Sequence, residues 1–457
     1  MKISEIKKYD KIAILGYWKE GKSTLRFLKK LWVKDITILD KKEILEKEDW
    51  IFYQTWENYL KNISDFDLVI KTPWISPYLN NLLKYKDKII SSVDIFLNNY
   101  SWKVIGITWT KGKSTTSTVL YLTLQNAWYK VKLVWNIWDP VLDEIDILAW
   151  ESYDYVVFEL SSYMLEGLIW QLYIWYINNI YICHYDWHFW AENYNNAKKN
   201  ILEIAKHKVA NVQIKEKFSD LSNIKFFWAW TDIFYKDEKF FLNWEVVLED
   251  RNFLLKWEHN RINICWIIAI ISQIVADKHN STWILHKLIN WLKETLKSFN
   301  WLPHRIQDIW TYKWITFVDD AIATTPDSTK AAINTFWDKL WTIFLWGQDS
   351  WFDFSELVNI ISNSNIKNLV LFPDTWLKIF WDLSTFDFDK KYEFKFRDKF
   401  FNIFKTKSME SAVKFAYEFT EKWKICLLST ASPSFSVWNS YIEKWTQFQE
   451  FVKKYSI

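Results

Sequence analysis

The chain has 457 residues, ample for about three domains at ~150 residues each, and its 58 Lys and Arg against 55 Asp and Glu leave a charge of +3, too even to argue for nucleic acid or an anionic membrane as partner. Its 34 Trp and 6 Gly invert normal usage: at roughly 7% glycine a chain of this length would carry about 32. The two types together make up about 9% of the chain, an ordinary glycine share, so the arithmetic points to UGA codons that are meant as glycine and are written here as tryptophan.

The N-terminus MKISEIKKYDKIAIL has no apolar signal region. No stretch approaches 18 apolar residues, which predicts a cytoplasmic protein with no stable membrane association. Cys183, Cys265 and Cys426 are far apart and match no metal spacing, as expected in a reducing compartment.

In chain order, KIAILGY from residue 11 reads as a buried strand, followed by a turn and the helical run STLRFLKK, then a strand ending at Asp40. With Trp18 read as glycine, the turn becomes Gly16-x-Gly-x-x-Gly21, a dinucleotide-type fingerprint. DLVIKTPW is a further strand into a loop, and the segment near 91–103 predicts a boundary. Trp32 and Trp128 stand at helix ends where glycine closes the last turn. Asn243-Trp244 and Trp314 stand in turns where a two-residue hairpin prefers Asn-Gly. These tryptophans interrupt the helix and strand periods, where core residues would join them.

A second unit opens with the strand KVIGIT and the loop Gly106-Ile107-Thr108-Trp109-Thr110-Lys111-Gly112-Lys113-Ser114, followed by a helix that includes Thr115. A loop between a buried strand and a helix N-terminus presents backbone N–H groups to phosphate. Lys113 adds a cation and Ser114 a hydroxyl for Mg2+. Ile107 breaks the strict Walker spacing; with glycine at 109 the run is GITGTKGKS. Such a site needs a carboxylate at a neighbouring strand end, and Glu159, closing YVVFEL, is placed for it. Strands are also predicted at 177–183, with helices over NYNNAKKNILEIAKHK and HNRINICWIIAIISQIVA. From about 301, the strands ITFVDD, TIFLW, NLVLF and KICLLS alternate with helical stretches. The fold expected is α/β in three domains: a Rossmann-like 1–97, a central P-loop ATPase-type 98–299 with a parallel sheet, and a Rossmann-like 300–457.

Several ordered segments resemble the Mur ligases, ATP-dependent amide-forming enzymes of peptidoglycan precursor synthesis. They are the phosphate loop, ELSSYMLE (159–166), CHYDWHFWAENYNNAK (183–198), HNRIN (259–263), LPHR (302–305), DDAIATTPDST (319–329) and WGQDSWFDF (346–354). KTPWIS (71–76) and LVWNIW (133–138) are most similar to the D-glutamate-adding members. Trp74, Trp109, Trp135, Trp138, Trp187, Trp346 and Trp351 fall where that family tends to carry glycine or another small residue.

The resemblance implies a monomer that uses ATP and Mg2+ to join D-glutamate to UDP-N-acetylmuramoyl-L-alanine through an acyl phosphate. By the same resemblance Glu159, His184 and a carbamylated Lys198 are metal ligands with Ser114, while Lys113, His184 and Lys198 carry catalysis. Asn260, Asn263, Arg305 and Asp320 join Gly106, Thr108 and residues 109–115 at the nucleotide. Gly16, Thr72, Pro73, Trp74, Asn136 and Ser161 line the UDP-sugar site, and Thr324 and Ser434 hold the amino acid. Cys183, Met164 and Ser350 depart from the family's acidic residue, Gln and Lys or Arg. Departure at 350 leaves open a related ligase with another amino acid, including a folylpolyglutamate-type enzyme. A non-catalytic nucleotide-binding module and an aromatic single-strand binder are the other classes, the last disfavoured by the charge.

Overall fold

The computed structural model describes residues 1–99, 103–108, 112–134, 140–145, 153–168, 172–177, 185–188, 190–218, 222–228, 231–251, 253, 255, 258–299, 307–348, 352–373, 375, 384–433, 436–438 and 440–456. It divides into two compact units, Met1–Phe299 and Asn300–Ile457.

The first unit holds two parallel sheets. In the N-terminal one, strand Lys11–Leu15 lies between Asp35–Asp40 and Leu68–Lys71, with Phe52–Thr55 and Ile89–Ser91 at the edges. The central strands are near-continuous apolar runs because helices and loops cover both faces. Here the order reverses beside Lys11–Leu15, so the loops after it and after Leu68–Lys71 part on opposite sides of a crevice. The segment near 91–103 is not an open linker over its first part: Ser92–Asn99 is a helix, and Asn99 bonds the backbone of Met1 and Ile3.

The second sheet has the order Ile224–Phe227, His207–Asn211, Ile174–Ile177, Lys103–Thr108, Tyr155–Glu159, Val131–Val134, all parallel. Ile174–Ile177 is in register with Ile105–Thr108, and the strand expected at 177–183 lies, from 178 on, outside the described residues. One sequence expectation shifts here. The helix expected to reach Lys208 ends at Ile204, because His207–Asn211 pairs with Ile174–Ile177 instead; tertiary pairing overrides local propensity. A three-stranded antiparallel sheet, Ile233–Lys236, Lys239–Leu242 and Glu245–Glu249, carries the expected hairpin.

The second unit is a seven-stranded sheet with a parallel interior, Ile315–Asp319, Ile425–Leu428, Leu340–Leu345, Asn368–Leu371 and Lys399–Lys405. Antiparallel strands Gln307–Tyr312 and Lys391–Phe396 close its edges. No helix among the described residues is long and apolar enough to cross a membrane.

The tryptophans divide by backbone. Trp32, Trp56, Trp128, Trp228, Trp244, Trp314, Trp346 and Trp423 all have φ between 62° and 77°, a region that costs an L-residue about 1–2 kcal/mol. The four turn positions singled out from sequence, Trp32, Trp128, Trp244 and Trp314, are among them. Trp18 is different, with φ −104°, and Trp175 and Trp266 are fully buried inside a strand and a helix.

Candidate functional site

Strand Lys103–Thr108 runs into the phosphate loop and helix Lys113–Asn126 leaves it; Trp109, Thr110 and Lys111 lie outside the described residues. Gly112 caps the helix with φ 94°, a left-handed turn that aims the first helical N–H groups back at the loop. Gly106 is needed for packing: a Cβ there would come within 2.3 Å of the Trp175 ring.

Parallel register sets Glu159 opposite Ile107. Thr108 Oγ1 donates to the Leu160 carbonyl at 2.8 Å, and Leu160 N donates to Ile107 O at 2.9 Å. These bonds fix the end of Tyr155–Glu159 against the phosphate strand, and Ser114 Oγ donates to Glu159 Oε1 at 3.2 Å. Glu159 is fully buried, and its Oε2 has no hydrogen-bond partner among the described residues. A buried carboxylate oxygen left over beside a P-loop hydroxyl is the arrangement a divalent cation would complete. Ser161 precedes the short helix Ser162–Leu165, in which Met164 is buried.

The remaining metal candidates are less defined. His184, Cys183 and Asn136 lie outside the described residues, as do Arg305, Ser350 and Ser434. Lys198 is in helix Ala191–Ile204. Among the described residues there is no group of three His, Cys, Asp or Glu with metal-ligand geometry. Asn260 and Asn263 are buried on helix Glu258–Ala276 and bonded to each other at 3.4 Å. Asn260 Nδ2 has no partner among the described residues, so an amide donor remains for a ligand.

On the N-terminal sheet, Gly16 and Thr72 meet at the crevice. Gly16 has φ 92°, and a Cβ on it would lie 2.4 Å from Thr72 Oγ1. Thr72 N donates to Leu15 O, while Tyr17 N donates to Asp40 Oδ2 at 2.6 Å. A cavity of about 670 Å³ opens beside Tyr17 and Trp18, with Lys22, Arg26 and Lys29 along it. Pro73 and Trp74 continue the Thr72 loop, and the Trp74 carbonyl accepts from Trp187 Nε1 at 3.0 Å.

In the second unit, Asp320 follows strand Ile315–Asp319 and accepts from Ser429 Oγ at 2.7 Å. Thr324 lies in the loop before helix Pro326–Thr335, which Thr325 caps. Sequence reasoning missed Lys444. Its ammonium is fully buried and donates to Thr430 Oγ1 at 2.8 Å, facing Asp319 and Asp320. Thr430 in turn bonds the carbonyls of Ala323 and Ser432, so one buried lysine ties the Asp320, Thr324 and 429–433 loops.

Burial pushes the Lys444 amine down to about 7, against the pull of the two aspartates. Between that value and the ordinary lysine value, the unfolded chain holds a proton that the folded chain lacks, so Lys444 makes stability rise with pH across this window and fall on acidifying through it. Comparing urea midpoints at pH 7 and pH 9 checks this: Lys444→Met should show a smaller rise than the parent. An equal rise in both would show that Lys444 keeps its proton throughout.

Residues 107–243 match the Mur ligase middle domain. The chain is 27% identical to a UDP-N-acetylmuramoylalanine--D-glutamate ligase of Clostridium tetani, covering 98% of each. It is 28% identical to one of Acetivibrio thermocellus, over 97% of this chain and 96% of that one. Among solved structures, the MurF ligase of Thermotoga maritima in complex with ADP matches with TM-score 0.56 at 15% identity, covering 99% of this chain and 98% of that one. MurF from Acinetobacter baumannii gives 0.58 at 14%, covering 96% and 90%. The structural likenesses show the fold; the sequence relatives span the whole chain.

Proposed function

The chain belongs to the Mur ligase family and is an ATP-dependent ligase, and we propose that it adds D-glutamate to UDP-N-acetylmuramoyl-L-alanine, acting as a cytoplasmic monomer with domains 1–97, 98–299 and 300–457. The observation that carries the ATP-dependent chemistry is the pairing of Ser114 with the buried Glu159 at the mouth of the phosphate loop. The choice of D-glutamate rests on the names of the full-length relatives.

In this reading the γ-phosphoryl group of ATP passes to the alanine carboxylate, and the amine of D-glutamate then attacks the acyl phosphate and expels phosphate. Mg2+, when bound, supplies charge neutralisation for the phosphates. Ser114 and Glu159 would hold it, joined by His184 and a carbamylated Lys198, and Lys113 would bind the transferring phosphates. Asn260, Asn263, Arg305 and Asp320 orient the nucleotide. Gly16, Thr72, Pro73, Trp74, Asn136 and Ser161 place the UDP-sugar, and Thr324 and Ser434 the incoming amino acid. These residues work by holding reactants in line and placing fixed charge around the transferred group.

Phosphate release from ATP in the presence of UDP-N-acetylmuramoyl-L-alanine tests the substrate, one amino acid at a time. D-Glutamate should support turnover. Turnover with a different amino acid but not with D-glutamate would replace the substrate and keep the ligase.

We further infer that the chain at work in the cell carries glycine at the left-handed tryptophans and at Trp109. Eight tryptophans at positive φ among the described residues, set beside only six glycines in the chain, support it. At 109 an indole would fill the space where backbone must approach phosphate.

A further inference from the structure

One buried cation of the first unit has no role in the reading above. Lys71 ends strand Leu68–Lys71, and its ammonium donates to the carbonyls of Ile75 at 2.8 Å and Thr72 at 3.2 Å. The loop Thr72–Ile75 is thereby wrapped around its own strand's last side chain. A buried ammonium is costly unless hydrogen bonds and an opposite charge compensate it. The bonds come from the loop carbonyls, and the opposite charges nearby include Glu166, from the central region, and Asp94.

The same loop reaches across at further points, beside the Trp74 carbonyl that accepts from Trp187 Nε1. Ser76 Oγ donates to the Trp187 carbonyl at 2.5 Å, and Tyr78 OH donates to Glu166 Oε1 at 2.9 Å. Glu166 Oε2 lies 3.7 Å from Nδ1 of the fully buried His188. Glu166 closes the ELSSYMLE segment that Glu159 opens, and helix Tyr185–His188 follows His184. One loop of the N-terminal sheet is therefore tied to both central segments that bear metal-ligand candidates. The Ser76 tie uses a backbone carbonyl, so it survives whichever side chain stands at 187, whereas the bond from Trp187 Nε1 to the Trp74 carbonyl needs the indole.

We propose that Lys71 is a positioning residue that couples the UDP-sugar loop to the catalytic segments of the central domain: its ammonium holds the Thr72 and Ile75 carbonyls, and the loop so fixed is tied through Ser76 to Trp187 and through Tyr78 to Glu166. This deepens the ligase reading and rests on it for the identity of the sugar nucleotide. Lys71 does not touch the reacting atoms. It sets the conformation of the loop that holds the acceptor and its distance from the phosphate site, which in-line transfer demands to within about 1 Å.

Steady-state kinetics with each substrate varied tests the coupling. Lys71→Met should raise KM for the UDP-sugar acceptor by about tenfold and lower kcat, with KM for ATP little changed, because removing a buried ammonium frees the loop while the phosphate loop keeps its own contacts. Ser76→Ala keeps the buried charge and removes one tether, so it serves if Lys71→Met does not fold; its acceptor KM should rise about fivefold, the value of one hydrogen bond. A merely structural lysine would lower the melting temperature and leave both KM values of the folded protein alone, and that result in either folded variant would overturn the proposal, as would equal rises for ATP and acceptor. Calorimetric binding of UDP-N-acetylmuramoyl-L-alanine to parent and variants separates the two readings. If the parent binds it but does not use D-glutamate, the amino-acid assignment fails and weaker binding by the variants still supports the coupling. If the parent does not bind it at all, the coupling falls with the substrate.

Discussion

Replacing Trp32, Trp56, Trp128, Trp244, Trp314 and Trp423 by glycine is expected to raise the free energy of unfolding by about 6 kcal/mol in total, about 1 kcal/mol at each left-handed site. All six have φ between 62° and 69° and are more than half exposed, so little packing is lost in exchange. The hydrogen bonds around two of them explain the conformation. Trp32 N donates to Lys29 O and Val33 N to Leu28 O, and Trp128 N donates to Gln125 O and Tyr129 N to Leu124 O. Each pair is a Schellman closure with its C′ residue in the left-handed region, the position that most favours glycine.

Asn243-Trp244 and Lys313-Trp314 each have φ > 0 at both residues, as a type I′ hairpin requires. The losses are small: Trp314 packs at a tilt on Trp423 with ring centroids 4.5 Å apart, and Trp244 packs on Phe234 at 5.1 Å. Trp346 is left out because it is fully buried in the core of the second unit, where truncation opens a cavity. Equilibrium denaturation of the two chains decides the matter; an unchanged or lower midpoint for the glycine chain would refute the strain argument. The mass of the peptide covering residues 103–111 from cells that make the protein reports residue 109 directly.

Glu159→Gln is expected to reduce kcat/KM for ATP-dependent ligation by on the order of 10^3, and Lys113→Met by a similar factor. The amide that replaces the carboxylate is close to isosteric and can still accept from Ser114 Oγ. What the change removes is the negative charge on the buried oxygen that has no partner among the described residues. The fold should tolerate the change, since an uncompensated buried carboxylate is itself costly. Lys113 is the first residue of the helix that Gly112 turns toward the phosphate loop, and methionine keeps its length without its charge. Phosphate release by the two variants, with circular dichroism to verify folding, is the measurement. Activity within tenfold of the parent for Glu159→Gln would remove that carboxylate from the phosphate site.

The strand and helix around the phosphate loop, the carboxylate beside Ser114 and the helix-end tryptophans were legible because each is a local pattern. A strand, Gly-Lys-Ser and a helix follow one another in sequence, and a C′ residue is defined by the helix it ends. Glu159 needed one further step, that an apolar strand ending in an acid lies beside the phosphate strand, and the register Ile107 to Glu159 supplies it. The helix predicted to run to Lys208 failed for the opposite reason. Its last residues have helical propensity, but the strands Ile174–Ile177 and Ile224–Phe227 offered them parallel partners on both sides.

Lys71, Glu166 and Lys444 gave no local signal. Each is an ordinary charged residue in sequence, and each owes its meaning to burial and to partners that for Glu166 and Lys444 stand far off in the chain, Tyr78 88 residues from Glu166 and Asp320 beyond a hundred residues from Lys444. By itself, the sequence determined the α/β class, the acid beside Ser114, and four of the positions where an indole meets left-handed backbone, since all of these depend on neighbours within a few residues or on one strand pairing. Only the tertiary structure decided which charges are buried, which carbonyls hold them and which loops they join, because desolvation and hydrogen bonding act through space, between residues the chain alone keeps apart.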